Sequence, residues 1–310
     1  MKLVFMGTPL PAVASLERLA ADGHEIAAVW TQPDRPAGRG RKLSPPPVKG
    51  AAMRLGIPVL QWKKIKTDEA LQAFESSGAE AAVVVAYGRI LPKTFLEAFP
   101  KGCINVHFSL LPKYRGAAPV NWAIVNGEEV TGVTTMLMDE GLDTGDILLQ
   151  RETPIGADET APELMNRLST MGADLISETL RKFDCIEPRA QDDDEASLAP
   201  LMSKEDGRID WTMTADQISR RVRGFQPFPR SYGMLGGTRI TFWKCRAADA
   251  SSTDAPPGTI LEAPSGEVRI ACGGGTVLLA EELQQEGKRR MASADFLNGA
   301  KVVPGDRFDI

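Results

Sequence analysis

Short apolar runs alternate with helix-length stretches along the first ninety residues, and this alternation restricts the fold more than any other feature of the chain. Leu3 to Met6 reads as a buried strand, Leu10 to Asp22 as a helix ended by Gly23, and Glu25 to Trp30 as a second strand. Val48 to Leu55 is helical and stops at Gly56; Ile57 to Leu60 begins another strand, Asp68 to Ser76 another helix, and Ala81 to Ala86 a further strand. Strands separated by helices pair in parallel through crossover connections, so the N-terminal part is expected to form an α/β, doubly wound, mostly parallel sheet of Rossmann-like type.

The pattern changes near Arg189. Asp192-Asp193-Asp194-Glu195 is an acidic run followed by a small, proline-containing stretch, which reads as a solvated linker. Beyond it, short strand-like pieces lie between glycine turns: Ser231 to Leu235, Arg239 to Lys244, Gly258 to Leu261, Val268 to Ala271 and Val277 to Ala280. Regular short strands suggest a small β-barrel or sandwich. The expected division is a first domain over 1–189, a linker over 190–206 and a C-terminal domain over 207–310, an OB-like barrel by fold analogy.

Inventory removes several function classes. The chain has 310 residues, four cysteines with no CxxC spacing and two histidines, so neither a zinc site nor a histidine-rich metal centre is expected. Isolated cysteines fit reduced thiols in a cytoplasm. No apolar run is long enough to span a bilayer, and Gly7-Thr8-Pro9 interrupts the N-terminal run too soon for a signal peptide. The same turn lacks the GxGxxG spacing of a dinucleotide site. Gly7 is then structural or lines a pocket. A net charge of −5 argues against indiscriminate coating of nucleic acid but leaves room for a local basic surface.

The stretch richest in chemistry is Cys103-Ile104-Asn105-Val106-His107-Phe108-Ser109-Leu110-Leu111-Pro112. On a strand, Asn105 and His107 share one face, and Ile104, Val106 and Phe108 take the other. Two polar groups side by side at a strand end suit a reactive site; the bland alternative is a core histidine satisfied by an asparagine. Further on, Met138 to Asp146 holds two glycines and reads as a loop. Spacing does not choose among its carboxylates Asp139, Asp143 and Asp146 as a proton-handling group.

These residues, NVH-x-SLLP, then Tyr114-Arg115-Gly116-Ala117-Ala118-Pro119, then Gly141-Leu142-Asp143-Thr144-Gly145-Asp146, resemble the folate-dependent formyltransferases. The resemblance runs nearly end to end and takes in Thr31 to Gly40, Val84 to Gly88 and Pro257 to Leu261. The stretch from Gln32 to Gly40 and the C-terminal domain place it with the branch that acts on methionyl-tRNA. One departure is Phe108, where the family often has a small residue; facing away from Asn105 and His107, it bears on packing behind the site.

The resemblance implies transfer of the formyl group of 10-formyltetrahydrofolate to the α-amine of initiator methionyl-tRNA, with no metal required and a monomer as the acting form. It places the catalytic roles on Asn105, His107 and Asp143. Asn105 and His107 would donate to the developing oxyanion, and Asp143 would raise the basicity of His107 and help relay the proton. The folate would lie among Ala86, Tyr87, Gly88, Ile90 and Leu91 and the loop from Asp139 through Gly141, with Ser109, Leu110, Leu111 and Pro112 as the matching wall.

For the tRNA, the resemblance points to the long loop carrying Arg35, Arg39, Arg41 and Lys42, with Arg39 as the key contact. A generic charged loop is the other reading. From Ser203 to Arg246 nine Lys or Arg residues face four acids, and Arg220, Arg221 and Arg223 cluster on a helix expected from Thr214. They are the expected phosphate-facing group, against a merely solvated basic face. Rival functions are the same chemistry on a sugar nucleotide or glycinamide ribonucleotide, an inactive tRNA- or folate-binding protein, and a folate-dependent hydrolase that releases formate.

Overall fold

The computed structural model describes residues 1–37, 42–249, 252–264, 266–300 and 302–309. Backbone contacts divide the chain into two compact units. The first comprises Met1–Pro119, Val130–Pro154 and Met165–Ala199; the second comprises Val120–Glu129, Ile155–Leu164 and Pro200–Ile310.

The strands of the first unit are β1 (Lys2–Gly7), β2 (Glu25–Trp30), β3 (Arg35–Ala37), β4 (Lys42–Ser44), β5 (Val59–Leu60), β6 (Ala81–Val85), β7 (Cys103–His107), β8 (Arg115–Gly116), β9 (Val130–Leu137), β10 (Ile147–Pro154) and β11 (Leu198–Ala199). Seven of them form one sheet in the order β10-β9-β7-β6-β1-β2-β5. The run β7-β6-β1-β2-β5 is parallel, as the alternation predicted, and β9 and β10 add an antiparallel edge. The order reverses around β1, which has β2 on one side and β6 on the other. Such a switch opens a crevice at the carboxyl ends of the strands.

Helices α1 (Pro11–Ala21), α2 (Pro47–Arg54) and α3 (Asp68–Glu75) match the expected helical stretches closely, and the short α4 (Lys93–Leu96) and long α6 (Ala161–Lys182) join them; α5 (Pro119–Asn126) falls almost wholly in the second unit. Thr67 caps α3 by accepting the Ala70 N–H at 3.2 Å, a contact worth about 1 kcal/mol.

The sheet carries a layer on each face. On one, Val4, Met6, Trp30, Val84 and Cys103 pack with Phe74 of α3 and Phe95 of α4. Trp30 meets Phe74 edge-on at 5.3 Å between ring centroids, and each such side chain contributes about 1.5–3 kcal/mol by leaving water. On the other face α1 and α6 lie together, joined by an Arg18 to Asp174 ion pair. Gly172 lets α6 approach β7, since a Cβ there would come within 2.9 Å of Val106 Cγ1 and 3.3 Å of Phe108 Cε1. Gly7 plays a similar part, because its Cβ would fall 3.0 Å from Ala12 and 3.1 Å from the Val85 carbonyl.

Two segments carry more structure than their composition suggested. In the basic loop, β3 and β4 pair as a short antiparallel hairpin. In the acidic stretch, β11 pairs in parallel with β8, and Arg115 Nη2 reaches Asp193 Oδ1 at 2.8 Å.

In the second unit, β12 (Tyr232–Leu235), β13 (Thr238–Ala247), β14 (Val268–Ala271), β15 (Val277–Gln285) and β16 (Met291–Ala292) form a five-stranded, barrel-like antiparallel sheet. The expected strand over Gly258 to Leu261 is reduced to single bridges, Thr259 with Arg307 and Ile260 with Ile270. Helices α7 (Ala215–Gly224) and α8 (Ser293–Gly299) belong to the same unit. The core joins Trp211, Ile218 and Val222 to Phe242, Leu278 and Phe308. A capping box starts α7: Thr214 accepts the Gln217 N–H, and Gln217 Oε1 accepts the Thr214 N–H at 2.9 Å. Among the described residues no helix is long and apolar enough to cross a membrane.

Candidate active site

A cavity of about 690 Å³ opens at the carboxyl ends of β1, β6 and β7, within the size range of small-molecule sites. Asn105 and His107 reach it from the end of β7, and Asp143 reaches it from the loop after β9. The three residues expected to act together are therefore gathered in one place.

His107 is buried, with Nε2 2.9 Å from the Tyr114 carbonyl oxygen. A carbonyl only accepts, so Nε2 carries the N–H and neutral His107 keeps its lone pair on Nδ1. That nitrogen faces Asp143 Oδ2 at 3.7 Å, too far for a direct hydrogen bond but close enough for strong charge interaction. Asp143 Oδ2 instead accepts the Gly116 backbone N–H at 2.8 Å. Burial pushes the His107 pKa below its ordinary value; the Asp143 charge and the Tyr114 carbonyl oppose this but do not overcome it. Asp143 thus raises the basicity of His107, as expected, against the larger and opposite effect of desolvating the imidazolium.

Geometry also separates the three carboxylates that spacing left open. Asp139 Oδ1 is engaged by Gly141 N at 3.1 Å and Thr144 Oγ1 at 2.7 Å, which folds the loop upon itself. Asp146 is exposed. Asp143 faces His107, and its backbone is held in the left-handed region at φ 55°. Ala86 and Tyr114 share that region at φ 46° and 63°. Non-glycine residues there cost of order 1–3 kcal/mol each and persist where the surroundings over-determine them.

The bracing around Asp143 comes from a residue that motif reading missed. Gln191 Nε2 donates to the carbonyl oxygens of Asp143 at 2.8 Å and Gly145 at 2.7 Å, while its Oε1 accepts Arg115 Nε at 2.9 Å. No local signal marks Gln191, since it lies in a polar stretch far along the chain from the residues it holds.

Of the residues expected to hold the folate, Ala86, Tyr87, Gly88, Ile90, Leu91, Asp139 and Gly141 line the cavity. Thr8 Oγ1 and Gln32 Nε2 both donate to the Tyr87 carbonyl, at 3.0 and 3.2 Å, which ties this wall to the ends of β1 and β2. Ile90 and Leu142 stand exposed at the rim, 77% and 60% accessible, as apolar surfaces available to a ligand.

Ser109, Leu110, Leu111 and Pro112, expected as a folate wall, are not among the residues lining the cavity. Ser109 and Leu111 are buried behind it. Leu111 packs with Met136 and Ile147, and the Thr134 hydroxyl bridges the Ser109 carbonyl and the Leu111 N–H. Met136, Met138, Val106 and Phe108 line the cavity, with Pro11 and Met165 beyond them.

The basic residues divide three ways. Arg35 is exposed on β3 and Lys42 lies in β4. Arg39 and Arg41 lie outside the described residues. At the base of this loop Lys49 Nζ donates to Asp34 and to Gln61 Oε1, all at 2.9 Å, and hydrogen bonds from Gln61 and then Lys49 hold the Asp34 carboxyl below its usual range. The α7 arginines are not a free phosphate-facing row. Arg220 pairs with Asp216 at 2.8 Å, Arg221 Nη2 donates to the Asp206 carbonyl at 2.9 Å, and Arg223 Nη1 donates to the Glu159 carbonyl at 2.9 Å. Burial lowers the pKa of both Arg221 and Arg223. All three guanidiniums thus have partners within the second unit.

A formyl transferase family model matches residues 1–180, and a model for the C-terminal domain of formyl transferase matches residues 201–301. The chain belongs to the formyl transferase family. Among its relatives is a methionyl-tRNA formyltransferase of Citrifermentans bemidjiense, 48% identical over 307 residues, covering 98% of this chain and 95% of the relative. Another, from Solibacter usitatus, bears the same name and is 48% identical over 309 residues, covering 99% of this chain and 98% of its own. Two solved structures share the fold. A sugar 3N-formyl transferase has a TM-score of 0.68 at 20% identity over 93% of this chain and 99% of its own. Methionyl-tRNA formyltransferase from Clostridium thermocellum has a TM-score of 0.57 at 20% identity over 81% and 95%.

Proposed function

We propose that the protein transfers the formyl group of 10-formyltetrahydrofolate to the α-amino group of initiator methionyl-tRNA, giving formylmethionyl-tRNA for translation initiation. The observation that carries the reading is the meeting of Asn105, His107 and Asp143 at one cavity mouth, in a chain nearly half identical to methionyl-tRNA formyltransferases over almost its full length.

The residues fit the co-substrate. Tyr87, Leu91, Met138 and Leu142 offer apolar surface to a flat pterin ring, and the cavity volume is adequate. 10-Formyltetrahydrofolate supplies the formyl carbon; the chain supplies the proton handling and the donors. Neutral His107, with its lone pair on Nδ1, takes the proton lost by the attacking amine. The imidazolium so formed has Nδ1–H toward Asp143 at 3.7 Å and can pass that proton to the departing nitrogen. The Asn105 side chain makes no hydrogen bond to a described residue, which leaves its carboxamide N–H for the negative oxygen that develops during acyl transfer. In this reading His107 donates from Nδ1 only after that nitrogen has been protonated, whereas Asn105 donates throughout.

The reading assigns formyl transfer to residues 1–189, a linker to 190–206 and tRNA holding to 207–310, with Gln191 bracing the first of these. The tRNA contacts proposed are Arg35, Arg39, Arg41 and Lys42 of the basic loop. The three α7 arginines are not carried into it. The protein acts as a monomer in the cytoplasm.

The deciding experiment offers radiolabelled 10-formyltetrahydrofolate to the enzyme with initiator methionyl-tRNA, uncharged tRNA and free methionine in parallel. Label on charged tRNA alone supports the reading. Label on none of them, with folate still bound, overturns it and turns attention to amino-sugar acceptors.

A further inference from the structure

The active-site cavity draws on both layers of the sheet. Asn105 shares its face of β7 with Cys103, which packs against Phe95 and Phe99 on the α3–α4 side. Tyr87, Leu91 and Met138 belong to that same side. Val106 and Phe108 stand on the opposite face, where they meet Gly172 of α6. The cavity nevertheless takes in all of these residues, together with Pro11 at the start of α1 and Met165 on α6. It therefore wraps around the carboxyl end of β7, with Asn105 and His107 between a wall from each layer.

We propose that the α1–α6 half of this cavity, formed by Pro11, Val106, Phe108, Pro119 and Met165, seats the side chain of the aminoacyl group carried by the tRNA, and that Phe108 sets its depth. The inference rests on the function proposed above. Transfer between two bound partners needs them to meet at Asn105 and His107. With the pterin against Tyr87, Leu91 and Met138, the amine approaches from the other side of the strand end, and the side chain on its α-carbon then lies over Phe108 and Met165.

The chemistry of this half selects the occupant. All five side chains are uncharged and apolar, so an ionic or strongly polar side chain would leave water without a partner. An unbranched, flexible thioether fits an irregular apolar seat and makes favourable contact with an aromatic edge. Phe108 is 6% exposed and packed at Gly172, so its ring has little room to retreat before a larger occupant. Methionyl and norleucyl side chains suit such a seat; phenylalanyl and glutamyl side chains do not.

The test charges one initiator tRNA with methionine, norleucine, phenylalanine or glutamate and compares kcat/KM for formylation by the wild type, Phe108→Ala, Phe108→Leu and Met165→Ala. In the wild type, methionyl and norleucyl acceptors should agree within a few-fold, and the other two should be worse by about tenfold or more. Phe108→Ala should raise the phenylalanyl acceptor relative to methionyl by about tenfold, with Phe108→Leu in between and tRNA affinity unchanged. Met165→Ala should shift the preference in the same direction, and with Phe108→Leu it carries the test if Phe108→Ala does not fold. Unaltered preferences in the folded variants, or a wild type that uses glutamyl as well as methionyl acceptors, overturn the seat while leaving formyl transfer standing. A wild type that formylates no charged tRNA overturns the underlying function, and the seat with it.

Discussion

Asp143 receives its hydrogen bond from the backbone of Gly116, at 2.8 Å, and that same carboxylate oxygen stands 3.7 Å from His107 Nδ1. The carboxylate is thus aimed by main chain, and its service to the imidazole is that of a nearby charge. This arrangement makes the position of β8 matter to the chemistry.

Gly116 has φ 126°, and a Cβ on it would fall 2.6 Å from the Ala199 carbonyl oxygen of β11. Gly116→Ala must therefore push β8 away from β11 and carry the donor off Asp143. We expect kcat to fall by about tenfold or more with a smaller change in KM, since about 1.4 kcal/mol of lost transition-state stabilisation corresponds to tenfold. Steady-state kinetics alongside a thermal melt checks it; unchanged kcat would mean that the aim of Asp143 is unimportant.

Burial depresses the His107 pKa in the folded protein relative to the unfolded chain, whose value is about 6.5. Between the two values the unfolded state binds more protons, so stability rises with pH. The contribution is fully present above about pH 6.5 and declines as pH falls below it. Denaturant titrations across acidic pH should show this slope in the wild type and a shallower one in His107→Gln. Removing the Asp143 charge takes away an influence that raises the His107 pKa, so Asp143→Asn should move the acidic limb of kcat/KM to lower pH. A limb that moved upward would contradict the assignment of His107 as the titrating base.

Gln191 uses both ends of its amide, donating to two loop carbonyls and accepting from Arg115. Gln191→Leu keeps the bulk and removes all three bonds. The Asp143 loop should loosen, lowering kcat by about tenfold while folate affinity changes little, because catalysis tolerates small misplacement less well than binding does. Equal losses in kcat and in equilibrium folate binding would point to general disruption instead.

Arg223 is half-buried and its guanidinium donates to the Glu159 carbonyl. Arg223→Ala should destabilise the protein by about 1.5–3 kcal/mol, the range for a hydrogen bond to a charged group. The salt dependence of tRNA binding should stay as in the wild type. A reduced slope of log affinity against log salt would return Arg223 to the phosphate-binding surface.

The parallel sheet was legible because its strands are continuous apolar runs bounded by glycine, as Ala81 to Val85 shows. The pairing of Asn105 with His107 was legible because strand alternation alone puts them on one face. Other features depend on distance along the chain. Gln191 reaches the Asp143 loop from 48 positions away, and nothing in its own neighbourhood announces that. The arginines of α7 illustrate a different limit: a basic helix face looks the same in sequence whether its guanidiniums meet water or the carbonyls of Asp206 and Glu159. Strand alternation puts Phe108 in the packing behind the site, where it meets Gly172, yet the cavity curls around the strand end and uses it as a wall as well.

The pairing of β11 with β8 has a consequence for how this enzyme can be taken apart. Gln191, Asp193 and Ala199 all grip the segment that aims Asp143, so a fragment ending at Arg189 would keep every residue of the trio and lose the clamp that orients them. A minimal catalytic module would have to extend through Ala199. During synthesis, too, the site would stay unfinished until that late stretch of chain had left the ribosome and closed over β8.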